Sequence, residues 1–176
     1  MKKLSVIGIL AVGLVVLSAS ASMGGDAFLM VGYKQFRGEH PSEFNTFILS
    51  GGSDYRFVPY FGLGFEIQYS YKGIEDFSFN WLNLYLNAKA FASAGRVRPF
   101  VGGGIGLQTA TTWVGDFEDT EFTKNVGYQV VGGVSIRPGR AEGGVSDVGL
   151  ILQVQAQLPK DLDGVTALHF MAGITW

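Results

Sequence analysis

The sequence has no cysteine among its 176 residues, so disulfide bonds and thiolate metal sites play no part in this fold. It also has no excess of basic charge, because the formal net charge is −2 at pH 7. A nucleic-acid-binding surface requires clustered positive charge. We therefore expect no nucleic-acid partner. Charged residues make up only 16% of the chain, and the mean hydropathy is positive, at +0.24.

Long apolar runs are also scarce, since a single run covers residues 4–17. It follows Met1-Lys2-Lys3 and precedes a small-residue segment with an Ala-x-Ala site that ends at Ala21. This order is typical of a secretory signal peptide. We predict a cleaved signal peptide over residues 1–21 and a mature domain over residues 22–176. A retained membrane anchor is the alternative, but a spanning helix needs about 20 apolar residues.

Beyond the first 21 residues, apolar side chains are arranged in alternation. In the clearest segment, residues 61–71, every second residue is apolar or aromatic and the others are small, polar or charged. The apolar set is Phe61, Leu63, Phe65, Ile67, Tyr69 and Tyr71. A period of two predicts a strand with one apolar face. Two tyrosines at one end are typical of a strand that leaves hydrocarbon for lipid headgroups.

The same alternation predicts eight strands. They cover residues 26–37, 44–57, 59–73, 81–94, 99–114, 126–137, 148–158 and 165–176. Eight strands suit both the smallest outer-membrane barrels and soluble lipocalins. Here the face opposite the apolar set is mainly Gly, Gln, Asn and Ser, which favours a narrow polar lumen over a charged outer surface. We predict an all-β fold, an eight-stranded antiparallel transmembrane β-barrel with both termini in the periplasm; a soluble barrel or sandwich is the alternative.

Two strand entries and the last strand resemble a known family. The segments 59–64 and 98–106 share a Pro-aromatic-x-Gly-x-Gly pattern. This pattern resembles the strand entries of small outer-membrane β-barrel proteins of the OmpA-, OmpX-, OmpW-like and opacity types. The segment 168–176 is similar to the C-terminal assembly signal of such proteins, with Trp in place of the usual final Phe. The residues that would carry this signal are Leu168, Phe170, Ile174 and Trp176.

The resemblance implies a location and partners. The expected location is the bacterial outer membrane, reached through the cleaved signal peptide, with outer-membrane lipid and lipopolysaccharide around the barrel. The barrel-assembly machinery would bind the C-terminal strand. Because the family includes adhesins, structural barrels, small pores and enzymes, the resemblance does not select one function.

Several charged residues fall on the predicted inner face. They are Glu66, Lys89, Arg137, Arg56 and Lys72. An eight-stranded barrel is just wide enough for side chains to fill it, and a charge placed there must be paired or hydrated. We expect Glu66 to pair with Lys89 or Arg137 and to plug the lumen. A switchable ionic gate for small ions, which the family resemblance would allow, is the alternative.

We predict a structural role, or binding and adhesion through surface loops, with no enzymatic activity and no cofactor. A small pore for ions or solutes is the first alternative, and a barrel enzyme acting on lipid A is the second. His40 and Ser42 suggest the enzyme. However, lipid A deacylases of this size carry His-x-Ser on a late strand, and here Met171 follows His169 at that spacing.

Three further features have simple structural interpretations. The glycine run of residues 102–106 continues a strand pattern, so it predicts room for neighbouring side chains rather than a phosphate-binding loop. The acidic segment of residues 115–125 matches no calcium-loop signature and predicts a solvated connection. Phe77 and Phe79 would lie in the connection 73–80, where they could cover the barrel mouth or contact a partner or lipid.

Overall fold

A computed structural model gives the fold for residues 25–37, 42–74, 77–92, 95–114, 117–137, 148–159 and 166–176. Eight antiparallel strands close into one barrel in sequence order, and the last strand pairs with the first. The strands are β1 (Asp26–Arg37), β2 (Thr46–Val58), β3 (Phe61–Ile74), β4 (Phe77–Phe91), β5 (Val97–Val114), β6 (Phe117–Ile136), β7 (Gly149–Pro159) and β8 (Thr166–Thr175). A 3-10 turn, Ser42–Phe44, precedes β2.

The predicted eight-stranded antiparallel barrel is confirmed. The predicted signal peptide, residues 1–21, lies outside the described residues. Within the described part of the chain, no helix is long and apolar enough to cross a membrane.

Two predicted connections are shorter than expected. The connection predicted for residues 73–80 is wrong at both ends, because β3 continues to Ile74 and β4 begins at Phe77. The acidic connection predicted for residues 115–125 is also wrong, because β6 begins at Phe117. In both places the backbone ladder continues where the apolar alternation fades, because the hydrogen bonds between strands join main-chain groups and do not require an apolar face. Pairing between Phe77 and Val114 shows this continuation.

The two faces of each strand have opposite chemistry. On β3, Leu63 is 59% exposed while its neighbours Gly62 and Gly64 are buried. The outward positions of the other strands are equally apolar; examples are Val31, Phe47, Leu86, Val101, Val130, Leu150, Val154 and Phe170. Most buried positions are polar; examples are Ser50, Asp54, Glu66, Gln68, Asn83, Asn87, Lys89, Gln129, Gln153, Gln155 and His169. The barrel therefore carries its apolar surface outside and its polar groups within.

The two ends of the barrel differ. The end at which β1 begins and β8 ends, here called the termini end, has a tight turn at residues 59–60 between β2 and β3. Ala27 and Trp176 exchange two backbone hydrogen bonds of 2.9 Å there. At the opposite end, here called the loop end, the strands of the β5–β6 hairpin extend furthest, over 18 and 20 residues.

Candidate functional site: the barrel lumen

Glu66 lies at the middle of the lumen and is fully buried. Its Oε1 accepts hydrogen bonds from Ser50 Oγ at 2.6 Å and from Gln68 Nε2 at 2.8 Å. Its Oε2 accepts one from Asn87 Nδ2 at 3.2 Å. These donors come from β2, β3 and β4. No Lys or Arg within the described residues forms a salt bridge with this carboxylate.

Amide side chains extend this layer across the barrel. Gln68 Nε2 also donates to Gln155 Oε1 at 2.7 Å, so β3 is joined to β7 across the lumen. Gln155 donates in turn to Gln129 Oε1, and Gln129 Nε2 donates to Asn87 Oδ1 at 2.5 Å. An amide both donates and accepts, so the chain of bonds can continue from wall to wall. The result is a cross-linked polar layer that fills the middle of the barrel.

A buried ion pair lies between this layer and the termini end. Lys89 Nζ is 2.8 Å from Asp54 Oδ2, and the two side chains are 1% and 10% exposed. The same ammonium lies 5.0 Å from the ring centroid of Phe28 and 5.1 Å from that of Phe100. The carboxylate and two ring faces therefore replace the water that Lys89 loses on burial.

Glycines make this pairing possible. Asp54 is on β2 and Lys89 is on β4, so each must lean over β3 to meet the other. The β3 residues opposite them are Gly64 and Gly62, respectively. A Cβ at Gly64 would overlap Asp54 Oδ1. On β5, a Cβ at Gly104 would overlap Asn87 Oδ1, which confirms that glycines of the run 102–106 leave room for side chains.

Three arginines meet one carboxylate at the termini end. Asp26 Oδ2 lies 2.9 Å from Arg56 Nη2 and 3.5 Å from Arg98 Nη1, and Asp26 Oδ1 lies 2.6 Å from Arg137 Nη2. Their side chains are partly exposed. We call these four residues the arginine mouth. It carries two more positive than negative charges.

The loop end of the lumen has a different lining. Phe36, Phe44, Phe79 and Trp81 form a chain of ring contacts with centroids 5.1 to 6.3 Å apart. Phe79 therefore packs with other rings at the loop-end opening of the lumen, which was one of the alternatives that the sequence suggested. Buried Lys34 places its Nζ 4.7 Å from the Phe36 ring centroid. His169, opposite Lys34 in the β1–β8 register, is fully buried.

The five charged residues predicted from the sequence do not form one cluster. Arg56 and Arg137 share the arginine mouth, whereas Glu66 and Lys89 lie deeper and have other partners. The expected pairing of Glu66 with Lys89 or Arg137 is replaced by pairing of both cations with aspartates. Lys72 donates to the backbone oxygen of Asn45 at 3.1 Å, near the loop end.

Two acids in the lumen were not among the predicted site residues. Asp54 has the same alternation parity as Arg56 and Ser50, and this parity signals an inward position. Asp26 begins β1 and is separated by about 110 residues in sequence from Arg137, so only the closed ring of strands brings them together. A search of the sequence for every inward-facing acid would have found Asp54. It would not have found the arginine partners of Asp26.

Other candidate sites remain without support from this geometry. His40 and Asp116 lie outside the described residues, as do the side chains of Ser42, Glu118, Asp119 and Glu121. His169 faces the lumen and not the outside of the barrel. Among the residues that the structure covers, no group of three or more His, Asp or Glu side chains is placed to hold a metal ion.

The C-terminal residues singled out in the sequence lie on β8 or directly after it. Phe170 and Ile174 are exposed on the outer face, while Leu168 and Trp176 are partly exposed. The outer face of the last strand is therefore apolar.

Comparison with known proteins finds structural likeness only. No protein-family model and no curated protein matches the chain. The structure of Neisserial surface protein A has a TM-score of 0.69 at 15% identity, covering 86% of this chain and 96% of that one. Ail, the attachment invasion locus protein of Yersinia pestis, crystallised with the heparin analogue sucrose octasulfate, gives 0.59 at 14% identity over 86% and 97%.

The N-terminal β-barrel domain of Pseudomonas aeruginosa OprF is a third similar structure, with a TM-score of 0.51 at 11% identity over 86% of this chain and 99% of that domain. Structural matches at identities this low show a common architecture and do not show a common activity. Together with the closed ring of eight strands, these comparisons show that the chain has the fold of the small eight-stranded outer-membrane β-barrels.

Proposed function

We propose that the chain is an outer-membrane β-barrel protein with a structural role or a role in binding and adhesion through its surface loops. The observation that carries this proposal is the reversal of ordinary burial. Apolar side chains cover the outside, and a hydrogen-bonded polar layer fills the inside. Exposed apolar area on this scale is unusual for a protein in water, but it is what lipid requires.

The height of the apolar surface supports a membrane position. On β3 the outward apolar set runs from Phe61 to Tyr71. Ten residue steps of about 3.3 Å, tilted by about 40°, rise about 25 Å along the barrel axis. This height equals the apolar band of an outer-membrane barrel, about 25 Å. Exposed aromatic residues lie near both limits of the band; they are Tyr33, Phe47 and Tyr71 towards the loop end, and Tyr55, Tyr60 and Phe61 towards the termini end.

The polar layer supports a role outside the lumen. Glu66, Gln68, Gln155, Gln129 and Asn87 bond to one another across the barrel. A solute passing through would have to break several of these hydrogen bonds in a space where few replacements exist. The proposal therefore assigns binding to the surface loops and a supporting role to the lumen. It includes a cleaved signal peptide, termini in the periplasm, and recognition of β8 by the assembly machinery.

Leu86→Arg tests the membrane position. Leu86 is 65% exposed, lies on β4, and pairs with Phe65 of β3 in mid-strand. An arginine on the lipid face near the bilayer midplane costs about 2–4 kcal/mol. We expect the variant to lose that much unfolding free energy in liposomes and to show less of the compact, heat-modifiable band on gels. Leu86→Met is the matched control and should match the parent; equal stability of all three proteins would refute the lipid-facing assignment.

A deletion strain tests the role. Envelope integrity, surface binding and solute uptake would be measured in parallel, with the parent chain restored as a control. The proposal expects a defect in integrity or binding with uptake unchanged. A defect confined to uptake would favour a pore.

A further inference from the structure

The arginine mouth has more hydrogen-bond donors than its own residues can satisfy. Each guanidinium offers five N–H groups, whereas one carboxylate has about four lone-pair sites. Arg98 Nε donates to the backbone oxygen of Gly95 at 2.7 Å. Arg137 Nε is a buried atom without a hydrogen-bond acceptor among the described residues, and buried Arg98 Nη1 has only the long ion-pair contact of 3.5 Å with Asp26 Oδ2. Buried donors without an acceptor are rare in native proteins, so these N–H groups are available to hydrogen-bond a ligand.

The excess positive charge of the arginine mouth also favours binding of an anion. Arg56, Arg98 and Arg137 all lie within 3.5 Å of a single carboxylate, that of Asp26. Three like charges held together repel one another, and one acid neutralises only one of them. Among the described residues, no second acid forms a salt bridge with this group. A ligand with one to two negative charges would complete the neutralisation.

The shape of the mouth restricts the source of such a ligand. The Phe91 and Phe100 rings, with centroids 6.0 Å apart, lie on the lumen side of the mouth, and Arg56 lies over the Phe91 ring at 5.8 Å. This aromatic floor and the Lys89–Asp54 pair lie between the mouth and the polar layer. Arg56 and Arg98 occupy inward positions of β2 and β5, and Arg137 directly follows β6 on the same face, so the barrel wall separates the three arginines from lipid. A ligand must therefore enter from the water at the termini end.

We propose that the arginine mouth binds a phosphate-bearing solute from the aqueous compartment at the termini end of the barrel. Guanidinium groups bind phosphate through paired N–H···O bonds, and several forks can share one tetrahedral group. A phosphate group carries about −1.5 to −2 charges at pH 7, which matches the excess of two positive charges. A carboxylate offers two oxygens and one charge and therefore leaves part of the excess unmatched.

Titration calorimetry on the full chain, folded in a neutral detergent, tests the proposal with inorganic phosphate as the probe. Acetate and chloride are titrated at equal ionic strength. We expect saturable binding of phosphate, at least about tenfold weaker binding of acetate, and no saturable signal from chloride. Arg98→Gln and Arg137→Gln should each weaken phosphate binding at least about tenfold, because each removes charge-assisted hydrogen bonds.

The matched control is Arg96→Gln. Arg96 is exposed at the same end of the barrel, next to β5. Its backbone oxygen accepts a hydrogen bond from Arg137 N at 2.8 Å, which the substitution retains, and replacing its side chain changes the net charge equally. The phosphate affinity of the Arg96→Gln variant should stay within about twofold of the parent's. Arg98→Lys retains the charge and loses the fork, so it should also weaken phosphate binding while the heat-modifiable band shows that the barrel is folded.

Three results would overturn the proposal. The first is no saturable binding of phosphate, or an equal response to phosphate, acetate and chloride, which would mean general screening. The second is an equal loss in Arg96→Gln and Arg98→Gln, which would mean that only overall charge matters. The third is unchanged phosphate affinity in folded Arg98→Lys and Arg137→Gln.

Discussion

Replacing Lys89 by Met should be among the most damaging single changes in the lumen. The substitution removes the ammonium that lies 2.8 Å from Asp54 Oδ2 and retains a flexible apolar stem. Asp54 Oδ1 has no hydrogen-bond partner among the described residues, so Lys89 is the main support of this carboxylate. Removing one partner of a buried pair costs about 3–5 kcal/mol, because the other charge stays buried without compensation.

A double-mutant cycle separates the pair from its surroundings. Asp54→Asn removes the orphan charge, so the double variant should be more stable than Lys89→Met alone. Lys89 alone, without Asp54, still faces the Phe28 and Phe100 rings, which contribute about 0.5–2 kcal/mol. We therefore expect a coupling energy of at least about 2 kcal/mol between the two positions, near the upper part of the range for contacting residues.

Urea unfolding in detergent, followed by tryptophan fluorescence, measures all four corners of the cycle. Lys72→Met is the control, because Lys72 is only half-buried and donates to one backbone oxygen at 3.1 Å. Loss of this hydrogen bond should lower the free energy of unfolding by about 1 kcal/mol or less. A coupling energy below about 0.5 kcal/mol would refute the reasoning, since it would mean that water screens the pair inside the lumen.

Two further predictions concern the middle of the barrel. Planar-bilayer traces of the parent and of Glu66→Ala should be indistinguishable, because the amide network continues around the vacated position; an open level in the variant alone would mean that Glu66 closes a pore. Gly104→Val should lower the unfolding free energy by about 1–3 kcal/mol through overpacking, because its Cβ would overlap Asn87 Oδ1. Gly103→Val is the control, since its Cβ would meet only Gln129 O at 3.5 Å, and equal losses in the two variants would contradict the packing argument.

The strands and their faces were predictable because the two environments of the barrel wall are so different. The outside of the barrel carries apolar groups and the lumen carries many small or polar ones, so the period of two is clear in segments such as residues 61–71. The starts of β4 and β6 were not predictable in this way. Around Phe77 and Phe117 the selection for one apolar face is weaker. Backbone pairing defines the strands there: β4 pairs with both β3 and β5 at its start, and β6 pairs with β5.

The lumen partners were harder to predict than the lumen residues. Glu66 and Lys89 were both expected to face inward, and both do. Which residues meet inside depends on the stagger of neighbouring strands and on glycines that let side chains lean sideways. Gly62 and Gly64 direct Lys89 towards Asp54, and nothing in the alternation of β4 alone contains this information.

The uneven lengths of the strands have a consequence for the loop end. β6 pairs with β5 from its first residues, but its pairing with β7 begins only at Gly127. Residues 117–126 therefore form one border of a raised hairpin, without a β7 partner among the described residues. On such a border about every second backbone N–H and C=O points away from the hairpin and must be satisfied from elsewhere. Among the described residues the rim is thus a step, and the main-chain groups on this border of β6 have no β7 partner there, so recognition of them would not depend on side-chain identity.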